Sequence, residues 1–287
     1  MEKAIPRIPI AEKGVSKEAF DAHLGAFVKT TLTDTEVRQI GTVLGTRYRL
    51  TIRLTRWTGK TTPEQIVTLS RLFFEVYPKM YRRFGAAGES PTKITLDIEN
   101  RGYGIAWCAG NLVHLHDGWL EKCPEDYDCI THELAHAIQN GWDGAYLEYD
   151  SYVERFADAC RYLYAFEDGR YNDLHWRMQT VSGEPTRADS VRFLVYLDYF
   201  YSTEENDLLL KYFKVCRQGK FPSAEWSKAW KEIFEGSALE GREIDDVFSD
   251  YLQSEFATLS TRAQKGSSPL LSKYDVRRFT RGSAADL

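Results

Sequence analysis

The chain has 287 residues, of which 43% are hydrophobic and 28% are charged. This is enough apolar surface for the core of one large domain or two small ones. The formal net charge of −5 gives no indication of nucleic acid or an anionic membrane as a partner, and no stretch approaches the roughly 18 consecutive apolar residues of a membrane span.

The first part of the chain predicts strands around one long helix. Residues 1–45 match no pattern, and we interpret them as an N-terminal extension of uncertain structure. Residues 47–57 predict a half-buried strand, because Tyr48, Leu50, Ile52 and Leu54 alternate with Arg and Thr. Thr62-Pro63 predicts the start of a helix. Two further strands are predicted at residues 93–98 and 112–115.

His132, Glu133 and His136 form the string H-E-x-x-H, the most informative motif of the chain. On a helix, residues four apart share a face, so the two imidazoles can bind one Zn²⁺ while the glutamate faces a metal-bound water. The flanks predict such a helix, with Asn140-Gly141 as its stop. Its acidic start is formed by Pro124, Glu125, Asp126 and Asp128. The alternative is an ordinary surface helix that carries two histidines.

A second predicted helix offers what the first lacks, since catalytic zinc takes three protein ligands and keeps a fourth position open. This helix begins at an Asp150-Ser151 cap and carries Glu154 and Asp158 on one face. Glu154 is the candidate third ligand, and Asp158 can accept the free ring N–H of a ligand histidine. Two alternatives stay open: Glu154 forms a capping box with Ser151, or Glu148 is the third ligand.

The segment from His132 to Asp158 resembles the zinc-binding segment of the plant and bacterial basic secretory protein family, a group of gluzincin-type metallopeptidases. That family has the pattern H-E-x-x-H-x-x-Q, followed within about twenty residues by E-x-x-A-D. Here the pattern is met by His132, Glu133, His136, Gln139, Glu154, Ala157 and Asp158. A weaker similarity covers roughly residues 65–252. The resemblance implies one zinc ion per chain and a secreted or periplasmic protein, although the first residues lack the apolar region of a signal peptide.

Beyond residue 158 the pattern is almost wholly helical. The predicted helices span about residues 187–201, 203–217, 223–235 and 242–259. A mixed strand–helix half followed by an all-helical half is the layout of a zincin, with the zinc cleft between the halves. We therefore predict an α+β, zincin-like catalytic domain over residues 46–260, followed by a C-terminal tail over residues 261–287.

The five cysteines cannot all pair with one another. Cys123 and Cys129 flank the loop before the zinc helix, and they could form a disulfide bond in an oxidising compartment. The equally weighted alternative is that both are buried thiols.

Other residues are candidates for substrate contacts. The segment 112–116 is the candidate edge strand for an extended peptide, and its His114 and His116 either line the cleft or, as we favour, lie on a solvated face. Trp226 and Trp230 are predicted to be core residues. Three tryptophans flank the zinc segment and are candidates for contact with a peptide side chain or a sugar: Trp107, Trp119 and Trp142.

The oxyanion of a tetrahedral intermediate also needs a donor. The candidates are Tyr149, Tyr152, Arg187 and Arg192, and for Arg192 a structural ion pair is the favoured alternative.

The predicted function is that of a zinc-dependent metalloendopeptidase that hydrolyses peptide bonds of peptides, proteins or glycoproteins. Glu133 would act as the general base toward the zinc-bound water. One alternative is a peptidase that recognises a glycan beside the scissile bond. The other is a catalytically weak protein that binds peptides or glycans on the same fold.

Overall fold

The computed structural model describes residues 29–33, 35–43, 45–85, 90–100, 104–140, 149–166, 187–203, 205–218 and 226–258. The chain divides into two compact units, Met1–Asn140 with Ala284–Leu287, and Gly141–Ser283. Within the described residues, the first unit contains a sheet with helices and the second contains helices alone. The predicted mixed α+β class is confirmed, and the unit boundary follows the H-E-x-x-H helix directly. No helix in the described part of the chain is long and apolar enough to cross a membrane.

The first unit is built on a six-stranded mixed sheet. Its strands are β1 (Lys29–Leu32), β2 (Glu36–Val43), β3 (Thr46–Arg53), β4 (Lys93–Glu99), β5 (Ala106–Ala109) and β6 (Leu112–His116). Their spatial order is β1-β2-β3-β4-β6-β5, in which β4 runs parallel to both of its neighbours and the other pairs are antiparallel. The predicted alternation in β3 is confirmed, because Tyr48, Leu50 and Ile52 are at most 1% exposed.

The sheet begins earlier than the predicted domain boundary at residue 46. Strand β2 pairs with β3 along its whole length, from Glu36 opposite Arg53 to Val43 opposite Thr46. Its alternation is blurred in the sequence, because Gln39 and Gly41 occupy buried positions and Ile40 points to the other face. The prediction that residues 29–43 belong to an extension is therefore wrong: they contain the strands β1 and β2 of the sheet.

Helix α1 (Pro63–Phe84) packs against β2 and β3. It begins where the sequence predicts: the Thr62 hydroxyl accepts from the Gln65 N–H, and the Gln65 side chain accepts from the Thr62 N–H, which is a capping box. The chain before α1 is held by Asp117, whose carboxylate accepts hydrogen bonds from Thr58 and from the Thr61 N–H at 2.6 to 2.8 Å. This carboxylate joins the end of β6 to the start of α1.

Two more helices complete the first unit: α2 (Trp119–Lys122) and α3 (Asp128–Gln139). Helix α3 contacts α1, β5 and β6.

The helices of the second unit are α4 (Tyr149–Leu163), α5 (Arg187–Tyr201), α6 (Leu208–Arg217), α7 (Trp226–Phe234), α8 (Ile244–Gln253) and α9 (Glu255–Thr258). The bounds predicted for α5 are confirmed. The helix predicted over 242–259 is broken at Ser254, whose backbone is extended and whose hydroxyl accepts from the Ala257 N–H at the start of α9. Trp230 is a core residue, 3% exposed and packed on Phe193, whereas the side chain of Trp226 is outside the described part of the structure.

Candidate metal centre

Helix α3 carries the H-E-x-x-H string and is buried along its length. All of its side chains except His136 are buried, and the Ser90 hydroxyl donates to the Ile138 carbonyl in its last turn at 2.8 Å. The alternative of an ordinary surface helix is therefore wrong. Because burial of histidine and glutamate is unfavourable unless they are paired or bind a metal, this placement favours a functional role for the string.

The ends of α3 are only partly as predicted. The helix begins at Asp128, whose carboxylate accepts from the Thr131 hydroxyl at 2.7 Å. The residues from Pro124 to Asp126 precede the helix, and Asp126 instead accepts from the indole N–H of Trp119 at 3.0 Å. The indole N–H of Trp119 therefore takes part in a hydrogen bond within the fold, which favours a structural role over the predicted substrate contact. The helix stops at Asn140, with a positive φ of 24°, as the sequence predicts.

The two histidines of α3 point their Nε2 atoms at each other. These atoms lie 3.1 Å apart, and the two rings are nearly perpendicular with centroids 4.7 Å apart. Two imidazole ligands of one tetrahedral Zn²⁺, each about 2.0–2.1 Å from the metal, have nitrogens about 3.3 Å apart. The observed separation therefore fits two ligands of one ion without a change of backbone.

Gln139 selects the tautomer of His136. Its Oε1 atom lies 2.7 Å from Nδ1 of His136. A carbonyl oxygen only accepts, so Nδ1 carries the proton and Nε2 presents its lone pair toward His132. A ligand histidine held in this way by a second residue is typical of metal sites. Gln139 is the last residue of the H-E-x-x-H-x-x-Q pattern, but only the structure shows that it contacts His136.

Glu133, between the two histidines, is 7% exposed. Its neighbour on the sheet is Cys108 of β5, a residue that sequence reasoning did not connect with the motif. Burial raises the pKa of the Cys108 thiol strongly, and the charge of Glu133 raises it further. The thiol is therefore neutral beside the carboxylate. The signal available in the sequence was the alternation of β5, which turns Cys108 toward the same side as Val113.

The candidate edge strand is wrong. Strand β6 lies between β4 and β5, so β5 is the edge of the sheet among the described strands. His114 is 3% exposed, stacks on Trp107 with ring centroids 5.2 Å apart and places Nδ1 3.4 Å from Glu99. The favoured solvated face is therefore wrong for His114. His116 is half-buried, and its Nδ1 accepts from the Gly118 N–H at 3.0 Å.

The cysteine alternatives are decided in favour of thiols. All five cysteines lie in the described part of the chain, and no disulfide bond joins any two of them. Cys129 is buried and Cys123 half-buried, so the predicted pair is not formed.

The candidate third ligand lies on α4, in the second unit. This helix begins at Tyr149, so Ser151 and Glu154 are both inside it and the capping-box alternative for Glu154 is wrong. Glu154 is half-buried, and Asp158, one turn later, is 1% exposed. A carboxylate buried to that extent requires a partner. Glu148 lies outside the described residues.

The candidate oxyanion donors separate into two groups. Arg192 is 1% exposed and donates from one guanidinium nitrogen to the Ala257 carbonyl at 2.6 Å, which is a structural contact within the second unit. The side chains of Tyr149, Tyr152 and Arg187, like the whole of Trp142, lie outside the described part.

No protein-family model, curated protein or solved structure matches this chain. The family resemblance of the H-E-x-x-H segment therefore stays a prediction, and support for a function comes from the chemistry of the residues themselves.

Proposed function

We propose that this protein is a zinc-dependent metalloendopeptidase with a zincin-like fold. The observation that carries the proposal is the pair of Nε2 atoms of His132 and His136, 3.1 Å apart on a buried helix. His132, His136 and Glu154 each offer one ligand atom and would hold the ion. Two imidazoles and one carboxylate are the donor set of a catalytic zinc site with an open position.

The ion would supply two effects when bound: it lowers the pKa of a water ligand toward neutrality and polarises a carbonyl group. Glu133 follows His132 directly and is not needed as a ligand. Its carboxylate would accept the proton of the attacking water and pass it to the leaving amine. The neutral thiol of Cys108 beside it does not compete for that proton, because the pKa of the thiol is raised.

His132 needs a proton acceptor on its other ring nitrogen. Binding of a metal through Nε2 requires the ring proton of His132 on Nδ1, where it needs an acceptor. Gln139 already accepts the ring N–H of His136. We therefore propose that the buried carboxylate of Asp158 accepts the Nδ1–H of His132.

The broader parts of the proposal follow from the family resemblance. A mixed unit followed by a helical unit is compatible with a zincin, and we propose a secreted or periplasmic protein that acts on peptides, proteins or glycoproteins. The test combines elemental analysis of the purified protein with cleavage-site mapping on a mixed protein library, with and without a chelator. Zinc at one ion per chain with chelator-sensitive cleavage is the expected result. Bound zinc without cleavage of any peptide or glycoprotein would favour the binding protein.

A second candidate is a peptidase that recognises a glycan beside the scissile bond. Trp107 favours it: this indole is 39% exposed on the edge strand β5, and it is held by stacking on His114. Exposed, fixed aromatic faces suit sugar rings. Cleavage of one glycoprotein before and after enzymatic deglycosylation tests the idea. Loss of cleavage after deglycosylation, and in Trp107→Ala with the intact glycoprotein, is expected; equal rates would exclude it.

A further inference from the structure

The strands β1 to β3 form a basic groove on the face of the sheet opposite α1. Its volume is about 840 Å³. We call it the arginine groove, and it is lined by Thr31, Glu36, Arg38, Ile40, Thr42, Arg47, Arg49, Thr51 and Arg53. Four guanidinium groups therefore face one carboxylate, in a chain whose net charge is −5. A local excess of positive charge in an acidic protein is not explained by composition.

Strand alternation places the arginines together. On β3, the odd-numbered positions from Arg47 to Arg53 point away from α1, while Tyr48, Leu50 and Ile52 form the core. The antiparallel register sets Arg38 of β2 opposite Thr51, between the rows of Arg49 and Arg53. The three arginines of β3 thus extend over about 20 Å of one strand.

Two of the four guanidiniums are held in place and two are available. Glu36 lies 2.5 Å from Arg38 and 3.4 Å from Arg53, so one carboxylate orients two side chains that are 62% and 50% exposed. Arg47 and Arg49 are exposed, and neither forms an ion pair with any other residue that the structure describes. Guanidinium groups bind carboxylate, sulfate and phosphate groups in a bidentate manner.

We propose that the arginine groove binds an acidic polysaccharide, whose sulfate or carboxylate groups contact the arginines and whose hydroxyl groups contact the three threonines. The described lining residues favour a polysaccharide over other polyanions. Single-stranded nucleic acid is bound by stacking of its bases on aromatic side chains, and no aromatic residue is among the described residues that line the groove. A lipid bilayer is flat, whereas the site is concave.

An acidic peptide fits the groove less well than a polysaccharide does. Extended peptides gain affinity from the main chain of a sheet edge and from pockets for alternate side chains. The groove lies on a sheet face, where the main-chain groups of β2 are already paired with both neighbours. Among the lining residues that the structure describes, Ile40 is the one apolar residue. A polysaccharide carries charge and hydroxyl groups along its length and needs neither feature.

The test is binding of the full chain to immobilised heparin, a sulfated polysaccharide, over a range of salt concentrations. Arg47→Gln/Arg49→Gln should weaken binding at least about tenfold, whereas Lys60→Gln/Lys122→Gln, which removes the same charge from exposed positions outside the groove, should change it less than about twofold. Arg47→Lys/Arg49→Lys keeps the charge but removes the planar guanidinium groups. Its affinity for heparin should lie between that of Arg47→Gln/Arg49→Gln and that of the Lys60→Gln/Lys122→Gln control. Circular dichroism of each variant verifies that the fold is kept.

Competition experiments identify the class of ligand. Polygalacturonate, poly-L-glutamate, oligo-dT and phosphatidylserine vesicles compete for the protein against heparin. Competition by polygalacturonate and by soluble heparin alone supports the proposal. Equal or better competition by poly-L-glutamate, oligo-dT or vesicles would replace the polysaccharide by that class. Unchanged heparin binding in the Arg47→Gln/Arg49→Gln variant would overturn the site. None of these outcomes depends on zinc or on peptidase activity.

Discussion

Oε1 of Gln139 lies 2.7 Å from Nδ1 of His136, one helical turn earlier in the same helix. This bond sets the tautomer of one proposed ligand. It also means that Gln139, which is 2% exposed, is buried for a reason other than packing.

The first prediction concerns this bond. Gln139→Leu keeps the size of the side chain and removes the acceptor, so we expect zinc affinity to fall by roughly 10–100-fold. Competition with a chromophoric chelator measures the affinity. Gln253→Leu is the matched control, because Gln253 is exposed in the second unit and contacts Ser249, and its zinc affinity should stay unchanged. An unaltered affinity in Gln139→Leu would show that the bond does not tune the ligand.

Elemental analysis tests the ligand set. His136→Ala and Glu154→Gln should each lose most of the bound zinc, since each removes one of three protein ligands. His116→Ala is the control: this histidine bonds the Gly118 N–H and should leave one zinc per chain. Glu148→Ala should also retain the metal. Stoichiometric zinc in Glu154→Gln combined with its loss in Glu148→Ala would exchange the third ligand for Glu148.

The elements of this fold that could be predicted from sequence are those with one face made entirely of apolar residues. Tyr48, Leu50, Ile52 and Leu54 alternate cleanly, so β3 was evident. In β2 the buried positions include Gln39 and Gly41, and no hydrophobicity pattern marks a strand whose inner face is half polar or empty. Local signals at Thr62 and Asn140 predicted helix ends correctly because capping depends on neighbours in sequence.

The part of the candidate site that lies on a single helix could be predicted from the sequence. The spacing of His132 and His136 determines their proximity, and the structure adds the 3.1 Å separation. The burial of His114 was not predictable, because it results from pairing of β5 with β6, which brings Trp107 opposite His114. The pairing of Cys108 with the motif was not predictable either, because its electrostatic interaction with Glu133 joins the sheet to a helix.

Asp158 is predicted to act on zinc affinity through a ligand. Asp158→Asn preserves the shape of this 1% exposed side chain but weakens its acceptor strength, so zinc affinity should fall by roughly 10–100-fold with the three ligands intact. The chelator competition used for Gln139→Leu measures it. If Asp158 and Gln139 orient different histidines, their double variant should lose the product of the two single effects. A double variant no weaker than either single variant would place both residues on one ring.

Asp117 is predicted to stabilise the first unit without a role in the metal site. Asp117→Ala leaves the donors of Thr58 and Thr61 without their carboxylate, and we expect the free energy of unfolding to fall by about 2–4 kcal/mol. Asp117→Asn retains one acceptor oxygen and should lose less. Urea denaturation followed by circular dichroism measures both, and zinc content of the folded protein should be unchanged. A loss in Asn equal to that in Ala would mean that the charge, not the acceptor count, matters.

Glu133→Gln separates the enzyme from a binding protein. Glutamine has nearly the same shape but cannot accept a proton at neutral pH, and Glu133 is not a proposed ligand. Zinc content and stability should therefore be kept, while turnover falls by at least about 10²–10⁴-fold. The assay is cleavage of a protein library by wild type, by Glu133→Gln and by wild type treated with chelator. Cleavage should be lost in both test samples, with peptide binding retained in the variant. Equal turnover in wild type and Glu133→Gln would remove this carboxylate from the reaction, because the glutamine side chain cannot accept the proton.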